Sequence, residues 1–117
     1  MKFIDDLQIE TIHTRDFDEK IAAAGQLVGV FFWGENCPNC EIAKTTLSER
    51  QSDMAAWNIK WFHANIYEDF ELANRFGLFG IPVFIFFKSS KRLGKISPFP
   101  GFAPFADAVE KLLIQYK

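Results

Sequence analysis

The sequence predicts a three-layer α/β domain on a mixed central sheet, and three observations carry that expectation. Two apolar runs, Leu27–Trp33 and Ile81–Phe87, are each seven residues long, short enough for strands and rich in β-branched and aromatic side chains. Segments with helical apolar spacing alternate with the strand-like ones through the first two thirds of the chain, which implies parallel strands joined by right-handed crossovers. A single hairpin signal, Ser89-Ser90-Lys91, comes late and adds an antiparallel edge.

The elements follow in order. Ile9-Glu10-Thr11-Ile12-His13 alternates apolar and polar residues, as an edge strand does. Asp16 with Glu19 reads as a capping box that opens a short helix through Ile21 and Ala24, stopped by Gly25. Leu27–Trp33 is a strand covered on both faces. A helix from about Glu41 to Arg50 has Ile42, Ala43 and Leu47 as its inward face, extended by Met54 and Trp57. Lys60–Asn65 is the next strand. Phe70, Ala73 and Phe76 mark a short helix ended by Gly77. Val83–Phe87 and Arg92–Ser97 form the hairpin, and Phe105, Val109, Leu112, Leu113 and Tyr116 give the last helix its apolar stripe. The order is β-α-β-α-β-α-β-β-α in one continuous domain, 1–117.

Composition narrows the function. The 117 residues are 49% hydrophobic and 24% charged, with a net charge of −2, which excludes a disordered chain and argues against nucleic acid or an anionic membrane as the main partner. Fourteen phenylalanines point to a core built from rings. Asp5 and Asp6 interrupt the place where a secretory leader would need apolar residues. No apolar run reaches a membrane span. A monomer in the cytoplasm is the expectation.

The chemistry centres on Cys37-Pro38-Asn39-Cys40. A bridge over so short a loop adds little stability, so the pair is expected to be reactive rather than structural. It follows a buried strand and opens a helix. Residues three apart in a first helical turn share a face, roughly 5–6 Å between Cβ atoms, within reach of a disulfide. Unpaired N–H groups at the helix start favour a thiolate at Cys37, which becomes the exposed nucleophile, with Cys40 one turn deeper as the resolving thiol. Pro38 suits the first helical position because no N–H is needed there. A zinc site has only His13 and His63 to complete it, and His13 falls at the end of an edge strand. An iron–sulfur cluster shared between two copies stays open, although no glutathione-binding signature is visible.

Over Ile9 to Tyr116 the chain resembles the thioredoxin family. The matching pieces are Val28-Gly29-Val30-Phe31-Phe32-Trp33, the Cys37–Cys40 motif, Asn65-Ile66, and Gly77-Leu78-Phe79-Gly80-Ile81-Pro82. The resemblance implies a thioredoxin-like three-layer α/β/α sandwich and a protein disulfide oxidoreductase needing no cofactor. Its substrate would be a disulfide-containing protein, and its electrons would come from a thioredoxin reductase or a small thiol. It further implies that Pro82 is cis and faces Cys37, and that the Ile81 backbone pairs with an extended substrate segment. Trp33 would wall the cleft, and Phe79, with Phe99, would line an apolar docking patch.

Several positions depart from the family pattern. Asn36 stands where thioredoxins place Trp, and Pro38-Asn39 stands where they place Gly-Pro. Phe31 occupies the position of their buried Asp and His63 that of its Lys partner. Glu35, His63 or a water must then take the proton from Cys40, and a slower or narrower reductase is expected. The alternative function is a redox-sensing module that binds a partner without general turnover.

Overall fold

A computed structural model describes residues 9–116; Asp5 and Asp6 lie outside them. The strands are β1 (Glu10–Thr11), β2 (Val28–Trp33), β3 (Lys60–Asn65), β4 (Val83–Lys88) and β5 (Lys91–Ile96). The helices are α1 (Phe17–Ala23), α2 (Pro38–Ser48), α3 (Gln51–Ala56), α4 (Phe70–Phe76) and α5 (Phe102–Gln115). The sheet runs β1-β3-β2-β4-β5. β1, β3 and β2 are parallel, β4 is antiparallel to β2, and β5 is antiparallel to β4. The mixed sheet and three layers are as expected, but the antiparallel part comprises two strands rather than one edge.

The period of two along each strand sorts the apolar runs between two cores. Phe31, Trp61, Phe84 and Phe86 face α2, α3 and α5, packing against Ala43, Leu47, Met54, Phe105 and Val109. Val30, Phe32, Phe62, Ile85 and Phe87 face α1 and α4, packing against Phe17, Ile21 and Leu72. This is why β2 and β4 show no polar alternation in sequence. Gly29 is required on the first face: a Cβ there would come within 2.5 Å of the Trp61 ring.

Local differences from the sequence reading have local causes. The Asp16 carboxylate accepts from the His13 N–H at 2.8 Å, so Asp16 closes a 3-10 turn at Thr14–Asp16 instead of opening a box with Glu19. Met54 and Trp57 do not extend α2. Its last turn closes at Glu49, Arg50 leaves helical geometry (φ −118°, ψ 35°), and α3 starts afresh. Ile42 is 55% exposed, because the inward face of α2 is Cys40, Ala43, Lys44 and Leu47. At 100° per residue, Ile42 points well away from that stripe. Phe70, at the start of α4, is likewise exposed. Gly77 ends α4 in the left-handed region as expected (φ 63°). Ser89 and Ser90, at φ 51° and 66°, make the twisted two-residue turn that a β4–β5 hairpin requires.

Among the described residues no helix is long and apolar enough to cross a membrane.

Candidate functional site

The site forms where β2 ends and α2 begins. Gly34 lets the chain leave the sheet: a Cβ there would meet the Tyr67 ring at 2.5 Å and the Ile81 side chain at 2.8 Å. Asn36 then takes a left-handed conformation (φ 55°), which Asn tolerates better than most residues. Cys37 is the N-cap of α2 and Pro38 its first helical residue, so the helix begins three residues before the periodicity of Glu41–Arg50 suggests. Pro38 donates no hydrogen bond, and the first turn needs none from it.

Cys37 and Cys40 are joined by a disulfide, with their Cα atoms 5.2 Å apart. The Cys40 N–H donates to Cys37 Sγ at 3.1 Å. This N–H is one of the four a helix start leaves without an internal partner. It would stabilise negative charge on the Cys37 sulfur once the disulfide opens. Cys37 is half-buried and Cys40 fully buried. One sulfur faces outward and the other is protected beneath it.

The Ile81 carbonyl lies 3.7 Å from Cys37 Sγ. The Ile81–Pro82 peptide is cis, and Pro82 is buried while Ile81 is half-buried. Phe79 stands fully exposed in the loop that leads to them. Phe99, in contrast, does not join a surface patch. It is 5% exposed, its ring packed against Phe84 at 6.1 Å and Phe105 at 5.4 Å.

Behind the cysteines, the half-buried Trp33 donates its indole N–H to His63 Nδ1 at 3.0 Å. Indole can only donate, so Nδ1 carries the lone pair and Nε2 the proton. Nε2 lies 2.9 Å from Thr11 Oγ1, which accepts it. The basic nitrogen of His63 is therefore committed to Trp33. The Lys44 ammonium sits 3.8 Å from the Trp33 ring centre and pairs with Glu41 at 3.2 Å. This lysine is buried one turn beyond Cys40. Its charge is offset by the π-face and the carboxylate.

Sequence reading assigned no role to Lys44, Asn39 or Ser97. The Asn39 amide makes two hydrogen bonds to the Phe99 backbone, and the Ser97 hydroxyl donates to the Pro82 carbonyl at 2.8 Å. The position of Asn39 between the cysteines was the available signal for it. Lys44 could have been found from its i+4 spacing to Cys40. Nothing in the sequence marks Ser97. Among the described residues no group of three or more His, Cys, Asp or Glu converges. His13, considered above as a zinc ligand, instead belongs to the turn around Asp16.

Comparison with known proteins agrees with this geometry. Thioredoxin M-type, chloroplastic, from Pisum sativum is 24% identical over 106 residues, 91% of this chain and 61% of the pea protein. The chain thus spans about three fifths of that relative. Thioredoxin from Rickettsia bellii (strain RML369-C) is 27% identical over 78 residues, 67% of this chain and 73% of the relative. The crystal structure of oxidised mitochondrial thioredoxin 3 from Saccharomyces cerevisiae has the same fold, with a TM-score of 0.71 at 18% identity, covering 92% of this chain and 95% of that one. Malassezia sympodialis thioredoxin (Mala s 13) superposes with a TM-score of 0.68 at 18% identity, covering 92% and 90%. The Thioredoxin family model matches residues 8–110, a span that takes in the cysteine pair, the Ile81–Pro82 element and all five strands, and the chain belongs to the thioredoxin family.

Proposed function

We propose that the protein is a thiol–disulfide oxidoreductase that reduces protein disulfides through Cys37 and Cys40. The observation that carries this reading is the stacked pair. A half-buried Cys37 caps the helix and accepts from the Cys40 N–H, and a fully buried Cys40 is already within bonding distance.

In the reduced protein, Cys37 thiolate attacks one sulfur of the substrate disulfide. The substrate S–S bond breaks, its other sulfur leaves as a thiolate and takes a proton, and a mixed disulfide forms. Cys40 loses its proton and attacks Cys37 Sγ. That forms the Cys37–Cys40 bond and expels the second substrate thiolate. A thioredoxin reductase or a small thiol returns two electrons, and no cofactor enters these steps.

The Ile81 backbone, beside Cys37 Sγ, would hold an extended substrate strand next to Pro82. Trp33 would support the cleft from behind and Phe79 would supply an exposed apolar anchor. Phe31, fully buried among aromatic rings, contributes no carboxylate to accept the Cys40 proton. The lone pair of His63 is occupied. A slower reductase than a housekeeping thioredoxin follows. A cytoplasmic location remains part of this proposal. The names of relatives include chloroplastic and mitochondrial forms, and cell fractionation decides among them.

A second reading is favoured by the exposure of Phe79: a redox-sensing module that holds a partner by that ring. Insulin reduction, driven either by a thioredoxin reductase or by glutathione, separates the two. Turnover is expected in the native chain and none in Cys37→Ser, while Cys40→Ser accumulates a mixed disulfide through Cys37. Undiminished turnover in Cys37→Ser would end the enzymatic reading. Partner capture that survives Cys37→Ser, with no turnover in the native chain, selects the binding module.

A further inference from the structure

We propose that Asn39 is a positioning residue for closure of the Cys37–Cys40 disulfide, acting by clamping the first turn of α2 to the 97–100 segment; this rests on the oxidoreductase reading above.

The clamp is built like one rung of a sheet. Asn39 Nδ2 donates to the Phe99 carbonyl at 3.4 Å, and the Phe99 N–H donates to Asn39 Oδ1 at 2.9 Å. Pro98 and Pro100 flank Phe99 and have no N–H, so Asn39 takes the one backbone donor among these three residues. The anchor itself cannot drift, because the Phe99 ring is packed between Phe84 and Phe105. The same segment reaches the opposite wall of the site, where Ser97 Oγ donates to the Pro82 carbonyl at 2.8 Å. One strap thus joins the helix start, through Asn39, to the element whose Ile81 carbonyl lies against Cys37 Sγ.

The second half of the reaction explains why this matters. Cys40 must reach Cys37 Sγ while Cys37 is covalently attached to a substrate that pulls on it. The first turn of a helix is the part most free to fray, since its N–H groups lack partners of their own. Fixing Asn39, between the two cysteines, raises the effective concentration of Cys40 at the mixed disulfide. Closure forms the Cys37–Cys40 bond, and the departing thiolate carries away the electron pair and takes a proton.

The test uses the full chain equilibrated in a buffer of reduced and oxidised glutathione, then acid-quenched, alkylated and weighed. Its readout is the ratio of internal disulfide to Cys37–glutathione mixed disulfide. Loss of both hydrogen bonds to the Phe99 backbone leads us to expect Asn39→Ala to lower that ratio about tenfold. The midpoint potential then rises by about 30 mV. Ser97→Ala, which cuts only the far end of the strap, should give about a threefold fall. Asp69→Ala, a helix-cap change elsewhere, should lower thermal stability and leave the ratio alone, which separates positioning from general loosening.

A ratio within twofold of native in Asn39→Ala overturns the clamp, as does an equal fall in Asp69→Ala. Should Asn39→Ala not fold, Asn39→Asp, which keeps the acceptor for the Phe99 N–H but sets a carboxylate against the Phe99 carbonyl, should give about a threefold fall. Glutathione replaces the protein substrate here, so the outcome is independent of the insulin assay. If the native chain reduces no insulin while Asn39→Ala still shows the tenfold fall, only the reductase reading is lost. Normal insulin turnover with an unchanged ratio removes only the clamp.

Discussion

At Gly29 and Gly34, the absence of a side chain lets aromatic and aliphatic groups approach the backbone of β2 and the residue that follows it. A methyl group on Gly29 would sit 2.5 Å from Trp61, a rigid ring within the core, and one on Gly34 would overlap both Tyr67 and Ile81. Gly29→Ala is therefore expected to cost about 1–3 kcal/mol, read as a lower urea midpoint with an unchanged slope. Gly34→Ala should cost a similar amount through overpacking. Normal stability in Gly29→Ala would mean that Trp61 can move aside. The pairing of Cys37 and Cys40 at the start of a helix was readable from spacing alone, since it follows from local geometry. The commitment of His63 to Trp33 was not, because their partnership joins residues 30 positions apart.

Among the elements, α4 shows how a short helix is held by one side chain. Asp69 is its N-cap and accepts from the Leu72 N–H at 3.3 Å; it also accepts from the Thr14 N–H at 2.8 Å and from the Thr14 hydroxyl. Partial burial pushes its carboxyl pKa up. The Thr14 hydroxyl, the Thr14 N–H and the Leu72 N–H outweigh that and hold it below the usual value of 3.8. A depressed folded pKa adds stability that is fully present above the unfolded value and is lost as pH falls through the folded one. Asp69→Ala should thus cost about 2 kcal/mol at neutral pH. That difference should shrink in denaturation curves taken progressively below about pH 4. A gap that stays constant into acid would show that the carboxylate charge is not involved. The helix itself was legible from Phe70, Ala73, Phe76 and Gly77. Its tie to Thr14 was not, nor was the break at Arg50 that makes α3 separate from α2. The apolar spacing of Met54 and Trp57 fits a continued helix equally well.

Across the described residues the buried aromatic rings divide into two cores, and the one that holds Phe99 lies under the 97–100 segment of the site. Phe105 on α5 is fully buried and packs on Phe84, with ring centres 4.8 Å apart, on Phe99 at 5.4 Å and on Trp57 at 6.2 Å. Phe105→Ala is expected to cost about 3–5 kcal/mol, and by freeing Phe99 it should loosen the strap that meets Asn39. Phe17→Ala, in the other core, should destabilise comparably without changing the glutathione ratio. Urea denaturation and the glutathione equilibrium together distinguish the two, and an equal fall in ratio for both would mean the cores are not separate. The sequence alone determined the α/β class, the strands buried on both faces and the cysteine pair at a helix start. Each of these depends on period, composition or spacing within a few residues. Tertiary structure decided that Phe99 faces inward while Phe79 stays outside, that Ile42 is exposed while Lys44 lies over Trp33, and that Asn39 grips a loop 60 residues away. Those outcomes depend on which surfaces meet when distant segments pack, and no local pattern carries that information.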